Sequence, residues 1–229
     1  MCLGSILLCR PAALLAAAPL VLPALRSVRH AVALAVGAAP FVAAQAWYNL
    51  TYLHAAFTTG YGDEAWMFSS PLAEGLPGVL VSPSRGLFVY SPVLVLAPVA
   101  AGLCWTRLAP GRRRDVVLLL AGALLQTLLI ATWHDWPGGW SYGPRLMTEG
   151  AALLGAVLIV TAPVWAGWRR FAAAVVVLAT VSVGIHALHV LWPNDDWNAA
   201  HEGQLASAAF DWRDPQLLRH LRVAIRSLR

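Results

Sequence analysis

Six apolar runs of about 20 residues each, at about 5–25, 31–50, 87–106, 115–133, 147–167 and 171–192, leave this chain few ways to fold in water. A bilayer core about 30 Å thick is crossed by roughly 20 apolar residues in a helix, which satisfies each backbone amide and carbonyl within the segment. Composition agrees: of 229 residues, 59% are hydrophobic and only 12% are charged. A soluble domain carries roughly 25% charged residues, so there is too little polar surface here to cover a globular core. The expected fold class is all-α: a polytopic transmembrane helix bundle of about six spans over 1–192, followed by a polar tail at 193–229 with a short amphipathic helix. The first run is the least regular, because Arg10 and Pro11 interrupt it. Its alternative is a signal peptide, with Arg10 in the charged region and 12–25 as the apolar region. Pro19 and Pro23 inside the run, and Arg26, Arg29 and His30 directly after it, favour a span.

The charges fix an orientation. All sixteen basic residues are arginine, and the net charge is +5. Most of the arginines sit in short clusters between apolar runs, which is a membrane pattern and not a nucleic-acid surface. Arg26, Arg29 and His30 form one basic turn, Arg107 with Arg112, Arg113 and Arg114 a second, and Arg169 with Arg170 a third. By the positive-inside rule these turns are cytoplasmic, so the loops at 51–86 and 134–146 and the tail face outside. The tail's five Arg are balanced by five acids. Within it, Asp214-Pro215 reads as a helix start. Leu217, Leu218, Leu221, Ile225 and Leu228 then line one face, and Arg219, Arg222, Arg226 and Arg229 another. Such a helix either lies on the membrane surface or docks on the protein's own loops. The three cysteines, Cys2, Cys9 and Cys104, have no CxxC spacing. His186 and His189 stand three apart without a carboxylate at matching spacing, so no metal site is expected, and no cofactor motif is present.

The two external loops are richer in Gly, Pro, Trp and Tyr than plain connectors need. The first includes Asn49 at its edge and Ser82-Pro83-Ser84-Arg85-Gly86-Leu87-Phe88-Val89-Tyr90-Ser91-Pro92. The second runs from Trp133-His134-Asp135-Trp136-Pro137 to Gly138-Gly139-Trp140-Ser141-Tyr142-Gly143-Pro144-Arg145. Each holds one Arg beside Gly and Pro directly before a span. A guanidinium at the membrane boundary suits a lipid phosphate, because its planar fork donates two parallel hydrogen bonds and stays charged. Trp140 and Tyr142 could stack on a sugar ring. The competing reading is an interfacial belt of aromatics with snorkelling arginines. Asp135 is the candidate general base or acceptor-positioning group, ahead of the adjacent pair Asp63-Glu64.

These segments resemble the loops of a bacterial family of multi-spanning membrane glycosyltransferases of the GT-C superfamily, which use polyprenyl-phosphate-linked sugars. The matching residues are Asn49, the Ser82–Pro92 run and the Gly138–Arg145 run, with Phe210-Asp211-Trp212-Arg213-Asp214-Pro215 similar to the family's C-terminal segment. The family's Phe-Gly pair is broken here, with Phe57 and Gly60 three apart. The resemblance implies a multi-pass protein of the inner (plasma) membrane that binds a polyprenyl-phosphate sugar donor through Arg145, Arg85, Trp140, Tyr142 and Asn49. Family members usually carry the catalytic acid in an early external loop, and this sequence has none ahead of residue 30. It is therefore expected to correspond to the C-terminal half, with an N-terminal half or a membrane subunit as partner. A non-catalytic subunit or remnant is the alternative. A transporter or flippase is a third class, which would favour ionisable groups at mid-membrane, and the expected span centres have none.

Overall fold

The computed structural model describes residues 2–56 and 64–227, and within them all regular structure is helical. Phe57, Gly60 and Asp63 lie outside the described residues, as does the Glu64 side chain. Four helices are long and apolar enough to cross a membrane: Val28–Leu53, Pro110–Thr132, Arg145–Trp165 and Arg169–Leu191. Their outer faces carry aliphatic side chains bare of protein, with Val36 68%, Ile159 75%, Val183 68% and Val190 77% exposed. A lipid environment removes the cost of that exposure.

Two of the six expected spans are not single helices. The first is split into α1 (Cys2–Cys9) and α2 (Ala13–Val21) at Arg10-Pro11. A proline has no N–H to donate and crowds the preceding residue, so the helix breaks there. The run at 87–106 is broken at Ser91-Pro92 into α6 (Leu87–Tyr90), a 3-10 turn at Pro92–Val95, α7 (Leu96–Cys104) and a 3-10 turn at Trp105–Arg107. The expected loop 51–86 is also largely helical. A π turn at Asn49–Leu53 extends α3 (Val28–Tyr48), then come α4 (Glu64–Met67) and α5 (Leu72–Val81). At ten residues α5 is too short to read as a span, which hid it among the turn residues around it.

The bundle is organised on α8 (Pro110–Thr132), which packs against α2, α5 and α9 (Thr148–Trp165). Its buried residues Val116, Leu119, Gly122, Ala123, Gln126, Thr127 and Ile130 recur at three- and four-residue steps and form one face. Glycines let backbones touch, as small residues do between helices in lipid. A Cβ on Gly75 of α5 would fall 1.8 Å from the Ala131 carbonyl oxygen, and one on Gly122 would fall 2.3 Å from that of Ala16. Helix α7 lies against α9, and α3 packs mainly on α1. The Arg107 guanidinium sits 5.2 Å above the Trp168 ring, which brings two of the three basic turns to one end of the bundle.

The chain after α10 (Arg169–Leu191) folds back onto the opposite end. Short helices α11 (Asp196–Ala200) and α12 (Leu205–Ala208) lead into α13 (Gln216–Ser227). Helix α13 is docked on the protein through Gln216, His220 and Ala224, spaced four apart, while Leu218, Leu221 and Ile225 stay exposed. It is therefore both a docked helix and one that offers an apolar stripe outward. Asp214 does not serve simply as a cap: its carboxylate accepts hydrogen bonds from Arg219 Nε at 3.0 Å and from Nη2. That guanidinium holds the Asp214 carboxyl below the usual carboxylate range.

Candidate functional site

The Ser82–Pro92 segment, the 134–146 loop and the tail meet around Arg85. Its guanidinium is 1% exposed and faces protein acceptors. Nη1 donates to the Ser141 carbonyl at 2.8 Å and to Gln216 Oε1; Nη2 donates to Asn198 Oδ1 at 2.7 Å and to the Gly139 carbonyl at 3.2 Å. The Trp197 ring covers it at 4.9 Å. Burial pushes Arg85 down to about 10, Tyr90 and Asp135 oppose that fall, and Arg145 adds to it. The group is charged at neutral pH, and its charge is shared among neutral oxygens, with no ion pair to a carboxylate among the described residues. This arrangement makes Arg85 the pin that joins loop to tail.

Gln216 is the second hub. Its Nε2 donates to the Ser141 carbonyl at 2.9 Å, its backbone N–H to Ser84 Oγ at 3.1 Å, and its Oε1 accepts from the Gly143 N–H at 3.1 Å. Tyr142 lies alongside, stacked on His189 with 4.7 Å between ring centroids, packed on His220 at 4.4 Å and edge-on to Tyr90 at 5.0 Å. Its hydroxyl donates to the Ile185 carbonyl at 2.9 Å, and burial pushes the phenol up. Only part of the ring is left for a ligand.

Arg145 differs in every respect. Its side chain is exposed, and among the described residues it makes no hydrogen bond or ion pair. Gly143 at φ +62° makes the turn before it, and a Cβ there would strike the Tyr90 ring at 2.6 Å. Arg145, Tyr142, Thr148, Ser91 and His186 line a cavity of about 340 Å³. An apolar groove of about 450 Å³ runs along α10 past Ser182, Val183, Ala187 and Val190. His186 belongs to both.

The other expected site residues are more scattered. Trp140 is 52% exposed at the tip of the loop. Asp135 is half-buried and accepts a hydrogen bond from the Gly139 N–H at 3.3 Å, and it lies within electrostatic reach of Arg85. Asn49 is buried at the end of α3, accepting from Gln45 at 2.8 Å and donating to the Ala56 carbonyl at 3.1 Å. Those bonds tie it into its own segment. Among the described residues, no three His, Cys, Asp or Glu side chains are grouped as metal ligands would be. Asn198, Gln216, His220 and Ser91 are the residues that sequence reasoning missed. A four-residue polar stripe (Gln216, His220) beside the leucine stripe of α13 was the available signal for the tail; nothing in the sequence singles out Asn198.

The fold and this site define an α-helical protein with four helices of membrane-spanning length and a structured cap of loops at one end. Comparison with protein-family models, with curated proteins and with solved structures found no match.

Proposed function

We propose that this protein is a membrane glycosyltransferase-type module that binds a polyprenyl-phosphate-linked sugar on the outer face of the inner membrane. The observation that carries the reading is Arg145: a guanidinium that is exposed and bonds no protein group among the described residues, in a cavity of mixed polar and apolar lining that adjoins an apolar groove on α10. A lipid phosphate needs that pair of environments side by side, a charged fork for the head and hydrocarbon-facing surface for the chain. In this reading α1–α2 and α6–α7 are broken crossings that bring the spans to six, and the Arg-rich turns are cytoplasmic. Trp140 stacks on the sugar, and Asp135 is the carboxylate that would orient or deprotonate an acceptor. Arg85 contributes by holding the loop that presents Arg145. The test is binding of a short-chain isoprenyl phosphate sugar to the protein in nanodiscs, with and without Arg145→Ala.

One observation favours a second reading, a transporter or flippase. Arg10, at the break between α1 and α2, pairs with Glu149 at 2.8 Å, and the buried Gln126 donates to Glu149 at 3.3 Å. Ionisable groups inside a helix bundle are costly and often mark a path for polar cargo. Loss of lipid translocation in Glu149→Gln, with donor binding intact, would favour that reading.

A further inference from the structure

We propose that His186 and Ser91 are the second half of the anion site at Arg145, so that the site grips a phosphodiester more tightly when His186 is protonated. The inference rests on the reading of Arg145 as a lipid-phosphate contact. Ser91 Oγ lies 3.0 Å from His186 Nε2, and both side chains line the cavity that Arg145 enters. Ser91 is held there by the break in the helix at Pro92, and its carbonyl accepts the Leu94 N–H at 3.0 Å. His186 is exposed toward the cavity although it belongs to a membrane-length helix. An imidazole in such a helix is expensive unless it serves a polar ligand. Its ring also borders the apolar groove, so it stands where the head of a lipid ends and its chain begins.

The chemistry follows from the donors. A phosphodiester shares one negative charge over two non-bridging oxygens and has no proton to give, so each protein contact must be a donor. Arg145 supplies a planar fork. Neutral His186 can accept from Ser91 and leave that hydroxyl no proton for the ligand. Once protonated, the imidazole is itself a charged donor, and Ser91 is free to turn its O–H to the phosphate. The titratable and charged groups around His186 are Tyr90 on α6, Tyr142 and Arg145 from the loop, with Arg85 and Asp135 behind them. His189 follows on α10, paired with His220 of α13 near Asp195 and Asp196. Of the side-chain types gathered there, imidazole is the one whose ordinary titration falls between about pH 5.5 and about pH 8.

The probe is a short-chain isoprenyl phosphodiester of glucose, whose single charge does not titrate in this range. Binding is measured in nanodiscs at about pH 5.5 and about pH 8. The wild-type protein should bind about tenfold more tightly at the lower pH, the difference between a neutral and a charge-assisted contact. His186→Gln keeps a side chain that can bond Ser91 and does not titrate, and it should bring the ratio close to one. His189→Gln should retain the wild-type ratio. If His186→Gln retains it, or His189→Gln abolishes it, the proposal is overturned while the Arg145 reading stands. If Arg145→Ala binds as wild type at both pH values, or the wild type does not bind at all, both readings fail.

Discussion

Arg85 Nη2 and Asn198 Oδ1 lie 2.7 Å apart although 113 residues separate them in the chain. One side of that bond opens a broken helix of the bundle, and the other belongs to the tail beyond α10. The contact therefore carries the loop of Arg145 and the tail as one unit. It also separates two arginines that look alike in sequence, since Arg85 meets protein oxygens and Arg145 meets the cavity.

Arg85→Ala should accordingly damage folding more than any ligand. It strips a charged donor from Ser141, Gly139, Asn198 and Gln216 at once. Each of these oxygens keeps a second, neutral donor, so what is lost is the charge-assisted bonds, roughly 1.5–3 kcal/mol each where water cannot reach them. Arg85→Lys should rescue only a part, because one ammonium cannot span all four oxygens. Thermal unfolding in detergent decides the matter: a transition unchanged from wild type in Arg85→Ala would mean that the cluster is idle.

A second pair inside the bundle gives a different signature. Arg10 and Glu149 are 2.8 Å apart with side chains 31% and 23% exposed, so their attraction is partly screened. Glu149→Gln should destabilise by about 1–3 kcal/mol by leaving an unpaired guanidinium in a low-dielectric setting. Replacing both with leucine should recover most of the loss. A double-mutant cycle with no coupling would show that the two charges are independently solvated.

The tail should respond to acid. His220 Nδ1 lies 3.1 Å from the Gln216 carbonyl, so that nitrogen donates and Nε2 is left to accept from His189 Nδ1, 3.1 Å away. Burial holds His220 below the ordinary imidazole range, aided by His189 and opposed by the Gln216 carbonyl, Asp195 and Asp196. The unfolded chain then binds the proton more readily, so the docked state is fully favoured above about pH 6.5 and loses ground as pH falls through that value. A nitroxide at position 226, with Cys2, Cys9 and Cys104 replaced, should be ordered at about pH 8 and more mobile at about pH 5.5. His220→Gln should remove the difference; equal mobility in the wild type at both values would refute it.

The membrane-length helices were legible because a 20-residue apolar run has few alternatives. The broken ones were not, although Arg10-Pro11 and Ser91-Pro92 stand in plain view. A proline stops a helix but does not say whether the chain still crosses. Arg145 was legible as a residue beside Gly and Pro. The difference between it and Arg85 was not, because Arg85 is consumed by Asn198 and Gln216, and long-range pairing leaves no periodic trace. The pairing of His186 was not legible either, since its partner Ser91 sits 95 residues earlier.

Orientation has its own measurement. Trp140 is 52% exposed and Arg112 is exposed near the start of α8. In a chain whose own cysteines are replaced, Cys at 140 should react with an impermeant maleimide on intact cells, while Cys at 112 should react only after lysis. The reverse pattern would move Arg145 to the cytoplasmic side and remove it from an external donor.

Arg145 carries the functional reading, and it can be isolated from its neighbours. Its backbone is fixed by the Gly143 turn: its N–H donates to the Gly143 carbonyl at 3.0 Å, and its own carbonyl accepts from Thr148 Oγ1 at 2.7 Å. The side chain is not used to hold that turn, so Arg145→Ala should leave thermal stability near wild type. A hydrogen bond to a charged group contributes roughly 1.5–3 kcal/mol, about ten- to a hundredfold in affinity. Arg145→Ala should therefore weaken binding of an isoprenyl phosphate sugar by about that factor. Arg145→Lys should restore only part, since an ammonium keeps the charge and loses the fork. Arg169→Ala, at the opposite end of α10 from His186, is the control and should bind as wild type. Equal losses in Arg145→Ala and Arg169→Ala would mean that both arginines act through general attraction of anions to a basic protein, and that Arg145 anchors the loop at the interface without holding a donor.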